Sequence, residues 1–141
     1  MSNLAIPAAQ PTNFGTCWSC VTGLTFPARM VSGNRAVAEA IARRLQTPRG
    51  GLIDDPNYGY DLTAFLDADI TAPVLASIQS QVNAECVKDQ RVTSATSTVT
   101  LTVAGLLIVT IALTTAFGPF SLVLSVSAVA ENPVTILSAP P

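Results

Sequence analysis

The sequence predicts an α+β fold: two helices packed on an antiparallel three- to four-stranded β-meander, with an extended N-terminal arm. Three observations carry this. Two segments repeat apolar residues at spacings of three and four, as a helix with one buried face requires. Three later segments alternate apolar with small polar residues in β-branched company, the period of a half-buried strand. A turn-rich stretch from Arg44 to Leu62 separates the two helical segments.

The chain has 141 residues, one domain's worth. The expected division is an arm over residues 1–30 and a single α+β domain over 31–138. The apolar fraction of 49% supports a real core, while only 11% of residues are charged, well below the usual quarter. A surface so poor in charge is weakly solvated alone, which favours a subunit that buries area in an assembly. The net charge of -2 points to neither nucleic acid nor an anionic membrane as partner. Histidine, the commonest general base and metal ligand, is absent. The cysteines are Cys17, Cys20 and Cys86, too few and too odd in number for a secreted disulfide framework. Met1 to Pro7 has no basic start and no long apolar run, so no signal peptide is expected.

The arm is rich in Pro, Thr, Ser and Gly without periodicity, and Phe14, Trp18, Leu24 and Phe26 are its expected apolar anchors. Cys17-Trp18-Ser19-Cys20 has redox spacing, but that chemistry needs a preceding strand and a following helix. A zinc site needs about four ligands. Cys86 would be a third, and no histidine supplies the fourth. The two cysteines therefore read as small apolar residues flanking an anchoring Trp, and no metal or cofactor is expected.

A helix is expected from Arg35 to Gln46, with Asn34 as N-cap and Val37, Ala40, Ile41 and Leu45 on one face. Arg43 and Arg44 read as a solvated helix end favoured by the dipole. The following loop holds Pro48, Gly50, Gly51, Pro56 and Gly59. A loop this long in a compact domain generally has a task. Tyr58 and Tyr60 pin it to the core or offer an anchor to a partner. Asp54, Asp55, Asp61, Asp67 and Asp69 crowd this region without the spacing or closing Glu of a calcium loop. Glu39, Glu85 and Glu131 fall in different elements, so the sequence establishes no carboxylate pair across a cleft. Turn-forming and capping roles explain the Asp residues.

Leu62, Phe65 and Leu66 predict a short helical turn. The second helix is expected from Thr71 to Lys88, capped by Asp69 or Thr71, with Pro73 in its first turn. Leu75, Ile78, Val82 and Cys86 form its apolar face, and Cys86 reads as a buried small residue. Lys88-Asp89-Gln90-Arg91 is then a polar break, where Arg91 can pair with Asp89 or Glu85 on the surface.

From Val92 to Ala130 no residue is charged, and a segment at about 99–128 is long enough to suggest a membrane span. The period-two pattern argues for strands instead. Val99, Leu101 and Val103 alternate with threonines; Leu107, Val109, Ile111 and Leu113 form a second set; Phe120, Leu122, Leu124 and Val126 form a third. Ala104-Gly105 and Ala116-Phe117-Gly118-Pro119 mark reversals, and Val134 to Leu137 is a possible fourth strand. Uncharged sheet edges recruit other strands, and little guards them here before Pro133, so one edge is expected to accept a strand from another subunit.

Leu45-x-Thr47-Pro48-x-Gly50, then Asp55-Pro56-Asn57-Tyr58-Gly59-x-Asp61-Leu62 and Phe65-Leu66, resembles the baseplate wedge or sheath-initiator proteins of contractile-tailed phages. That family includes baseplate protein W and proteins labelled lysozyme-like. The likeness runs from about Asn34 to Val129. The family's Glu-Pro-Arg junction corresponds to Asp89-Gln90-Arg91, with the Arg kept, the acid shortened and the Pro replaced.

The resemblance implies a structural, non-enzymatic virion subunit of the tail baseplate, assembled in the host cytoplasm. Its implied partners are baseplate wedge proteins and the tail sheath protein, with tail tube or hub proteins as further candidates and neither nucleic acid nor membrane. It would link the wedge to the first sheath ring and start sheath assembly by β-strand addition. The partner-binding residues expected on this reading are Tyr58, Tyr60, Asp89, Gln90, Arg91, Phe120, Leu122, Leu124 and Val126. The rival readings are a small integral membrane protein spanning at about 99–128 and a cell-wall hydrolase using Asp54, Asp55 or Asp61.

Overall fold

Residues 15–19, 29–66, 68–128 and 134–140 are described by the structure, a computed structural model. Their elements, in order, are β1 (Thr16–Trp18), β2 (Met30–Ser32), α1 (Gly33–Arg44), a 3-10 turn (Leu62–Phe65), α2 (Ala72–Cys86), β3 (Val92–Leu101), β4 (Leu107–Thr115), β5 (Gly118–Val126) and β6 (Val134–Ser138). The fold is α+β. β1 and β2 form a two-stranded antiparallel ribbon, and β3-β4-β5-β6 form an antiparallel meander in sequence order.

The helices form where the apolar spacing required them. α1 buries Val37, Ala38, Ile41 and Ala42, with Leu45 just beyond its end; α2 buries Ile78, Val82 and Cys86. α1 begins earlier than expected, with Ser32 rather than Asn34 at the N-cap. Asn34 Oδ1 instead accepts from Thr115 Oγ1 at 3.0 Å, tying the first turn of α1 to the β4–β5 turn. α2 starts after Thr71, with Pro73 in the first turn, where its missing N–H costs nothing.

The sheet packs one face on both helices. In β4 the alternation is complete, with Leu107, Val109, Ile111, Leu113 and Thr115 buried. Leu122, Leu124 and Val126 of β5, Val99 of β3 and Val134 of β6 join the same core. Each such Leu or Ile contributes roughly 2 kcal/mol by leaving water. β3 starts at Val92, well before the expected Thr98, and a register shift lies between Val92 and Ser94. Val103 lies in the β3–β4 turn, not in the strand, and is fully exposed. Gly118 and Pro119 belong to β5, and the reversal is the two-residue turn Ala116-Phe117. Residues 99–128 are thus strands and turns, and no described helix is long and apolar enough to cross a membrane.

The sheet's two rims differ. On the outer side of β3, the Gln79 side chain of α2 accepts the Val99 N–H at 3.3 Å, and the Gln79 carbonyl accepts from Ser97 Oγ at 3.1 Å. That rim was expected to be unguarded; α2 covers it around Ser97 and Val99. On the far side β6 pairs only with Val123–Val126. Among the described residues, nothing pairs with the outer side of β5 from Gly118 to Leu122.

The N-terminal expectations are corrected in part. Trp18 is not an anchor: it is 54% exposed, opposite the 48% exposed Met30 across the β1–β2 ribbon. Phe14, Cys20, Leu24, Phe26, Asp67, Glu131 and Pro133 lie outside the described residues. Cys17, the middle residue of β1, has Arg43 Nη2 at 3.9 Å from its sulfur. Cys86 is buried, and burial, aided by the adjacent Glu85 charge, pushes its thiol up to about 12. Cys86 is therefore expected to escape iodoacetamide in the folded protein and to react only in denaturant, read by peptide mass spectrometry. Labelling of Cys86 under native conditions would contradict its placement.

Candidate functional site

The loop from Thr47 to Asp61 is built residue by residue. Thr47 Oγ1 donates to the Arg43 carbonyl at 2.8 Å, joining the Gln46 N–H on that acceptor at the end of α1. Pro48 to Gly51 close a turn through Gly51 N–H to the Pro48 carbonyl. Asp55 closes the next: its carbonyl accepts the Tyr58 N–H and its Oδ1 the Asn57 N–H, each at 3.1 Å. The strand-like return then pairs with the end of α1, through Tyr60 N–H to the Arg44 carbonyl and Leu62 N–H to the Leu45 carbonyl. Asp61 caps the 3-10 turn by accepting the Thr63 N–H at 2.9 Å and its hydroxyl at 2.6 Å. Both Asp55 and Asp61 thus have the turn and cap roles expected from their positions. Asp54 is exposed.

Beneath the loop lies a carboxylate that sequence reasoning placed on the surface. Glu85 is 1% exposed. Its Oε1 accepts from Arg44 Nη1 at 3.0 Å and from the Gly59 N–H at 2.8 Å. Its Oε2 meets Arg49 Nη2 at 3.0 Å and Lys88 Nζ at 2.8 Å. Burial raises the Glu85 pKa, but the hydrogen bonds from Lys88, the Gly59 N–H and Arg44 outweigh it, and the net value is lowered. The carboxylate stays ionised with both oxygens occupied. It clamps the loop to α1 and α2 and offers a substrate neither proton nor lone pair.

The cations are held in turn. The Arg44 guanidinium carbon lies 4.1 Å from the centre of the Tyr58 ring, a cation–π contact. Arg49 Nε donates to the Gly59 carbonyl at 3.2 Å, and Lys88 Nζ to the Asn57 carbonyl at 3.0 Å. Arg44 is therefore not a solvated helix end; its side chain is 13% exposed and bridges loop, ring and carboxylate. Gly59 is buried at φ +102°, and a Cβ there would overlap the Thr47 carbonyl oxygen. Only glycine passes this point with its N–H aimed at Glu85.

Asp89 and Arg91 form their own unit at the α2–β3 turn. Arg91 Nε and Nη2 donate to the two carboxylate oxygens at 2.9 and 2.7 Å, and the Arg91 N–H to Oδ1 at 3.0 Å. Burial raises the Asp89 pKa, yet the Arg91 hydrogen bonds leave it lowered overall. Of the two partners considered for Arg91, Asp89 holds it; Glu85 is taken by the loop cations. Lys88, the residue before Asp89, reaches the loop at the Asn57 carbonyl, so loop and junction meet at the end of α2.

Tyr58 and Tyr60 are half-buried, with the Tyr60 ring 5.8 Å from that of Phe65, and Gln90 is exposed. The structure thus brings the Asn57–Tyr58 turn and the Asp89-Gln90-Arg91 junction together through Lys88, while Tyr60 packs on Phe65. It does not bring Phe120, Leu122, Leu124 and Val126 to a rim as side chains. Phe120 is half-buried, and the other three are fully buried core residues of a strand flanked by β4 and β6. Any partner along that stretch meets backbone, not these side chains. Sequence reasoning missed Glu85, Arg49 and Gly59. The available signal was a glutamate on the buried face of α2, between Val82 and Cys86. No protein-family model matches the chain, and no curated protein matches it.

Proposed function

We propose that this chain is a non-catalytic structural subunit of a contractile phage tail baseplate, linking wedge proteins to the first sheath ring. What supports the reading most is the Asp55–Leu62 loop motif. Every residue with a resolved partner there holds the loop rigid rather than exposing a reactive group, and the loop and the Asp89-Gln90-Arg91 junction meet at the end of α2. A preformed surface costs a partner little ordering entropy. The wedge contact belongs to this loop and junction. The sheath contact belongs to the incompletely covered rim of β5, where an added strand bonds backbone groups and tolerates varied side chains.

The test is Ser121→Pro. The two-residue turn pairs Thr115 with Gly118, and strict alternation from there turns the Ser121 backbone away from β4 toward the uncovered side. Proline removes that N–H with little cost to the fold. Particles carrying the substitution are expected to show baseplates without sheaths by electron microscopy, while circular dichroism of the isolated chain stays unchanged. Normal sheaths would count against the proposal.

A further inference from the structure

We infer that this chain associates head to tail with copies of itself, the loop tip of one seating beside the β1–β2 ribbon of the next. Two exposed features on one molecule have complementary chemistry. The first is a cleft of about 180 Å³ lined by Arg29, Met30, Val31, Ser32 and Arg35. Beside it Trp18 and Met30 face each other across the ribbon, about half exposed. Exposed Trp, Met and Arg together are the composition of interface centres rather than of free surface. Residues 1–28 contain no charged side chain, so none of them can neutralise Arg29. Arg29 has no ion pair among the described residues. The cleft therefore suits a segment carrying an apolar side chain next to a carboxylate.

The second feature is such a segment. Leu52 is 43% and Ile53 97% exposed, and Asp54 follows directly. A fully exposed isoleucine gains nothing from its own chain, and the turns on both sides hold it in place. The ribbon leads into the first turn of α1, whereas the loop leaves its last, and the twelve residues between span about 18 Å. Ile53 is uncovered in its own molecule, so the contact is between molecules. It joins two different surfaces and is heterologous, which builds rings or open chains rather than closed twofold dimers. This inference stands apart from the phage-tail reading and can hold without it.

Sedimentation velocity of the full chain across a wide concentration range tests it. The wild-type mass is expected to rise with concentration, more so at low salt, because the Arg29–Asp54 attraction is screened. Ile53→Ser, Arg29→Glu and Asp54→Arg alone are each expected to weaken association about tenfold or more. These positions are exposed, so circular dichroism should match wild type. Mixing Arg29→Glu chains with Asp54→Arg chains restores opposite charges at every contact, and association should return. A wild type that stays monomeric at all concentrations overturns the inference. So does association that these substitutions leave unchanged, or a mixture that fails to recover it.

Discussion

Gly59→Ala is expected to lower stability by about 3 kcal/mol or more, from left-handed backbone strain and a steric clash together. At φ +102° an L side chain is strained before any neighbour is considered. Its Cβ would also overlap the Thr47 carbonyl, which is backbone and cannot swing aside. Moving either strand breaks the Gly59 N–H bond to Glu85 and the Arg49 bond to the Gly59 carbonyl. Gly50→Ala is the control. Gly50 also has positive φ, at +85°, but open space around its would-be Cβ. It should cost only about 1 kcal/mol. Urea denaturation of the two variants separates strain from clash, and equal midpoints would show that the Thr47 contact carries no weight.

Glu85→Gln should cost about 3 kcal/mol at neutral pH, because it leaves the cations around a buried site without their counter-charge. The pH dependence follows from the lowered folded pKa of Glu85. A carboxyl group that is more acidic when folded stabilises the protein above its unfolded pKa, about 4.3 for glutamate. That contribution is lost as pH falls from there through the lower folded value. Wild-type stability should therefore drop steeply below about pH 4.3, and Glu85→Gln should show a shallower drop. Asp89, also lowered, has the same sign and leaves a residual slope in the variant. Urea midpoints over an acid series read both slopes. Identical slopes would mean that Glu85 is not the clamp.

Local pattern predicted the elements whose burial is periodic. β4 alternates through all nine residues, and α1 and α2 carry their apolar faces where spacing placed them. The first half of β3, Val92 to Ser97, escaped because Thr, Ser and Ala write no apolar alternation. The period of β5 was read correctly, but its consequence was not. Alternation tells which residues share a face, and says nothing about whether a strand is interior. Leu122, Leu124 and Val126 became core because their face of the sheet joins the helix residues in one cluster, with β6 returning beside Val123–Val126, and both are non-local facts. The Glu85 cluster was hidden for the same reason. Its partners Arg44, Arg49 and Gly59 lie 41, 36 and 26 positions away. The Asp55 and Asp61 roles were legible because each acts on an N–H two residues on.

Gln79 gives the sheet a polarity. Its amide meets the Val99 N–H near the end of β3, so one outward backbone group of that margin is already taken, while the opposite margin ends halfway along β5. A strand added beside β3 would have to displace that bond, whereas one added beside Gly118–Leu122 of β5 would displace no strand among the described residues. Growth through this sheet would therefore favour one border over the other, giving an added strand a preferred side.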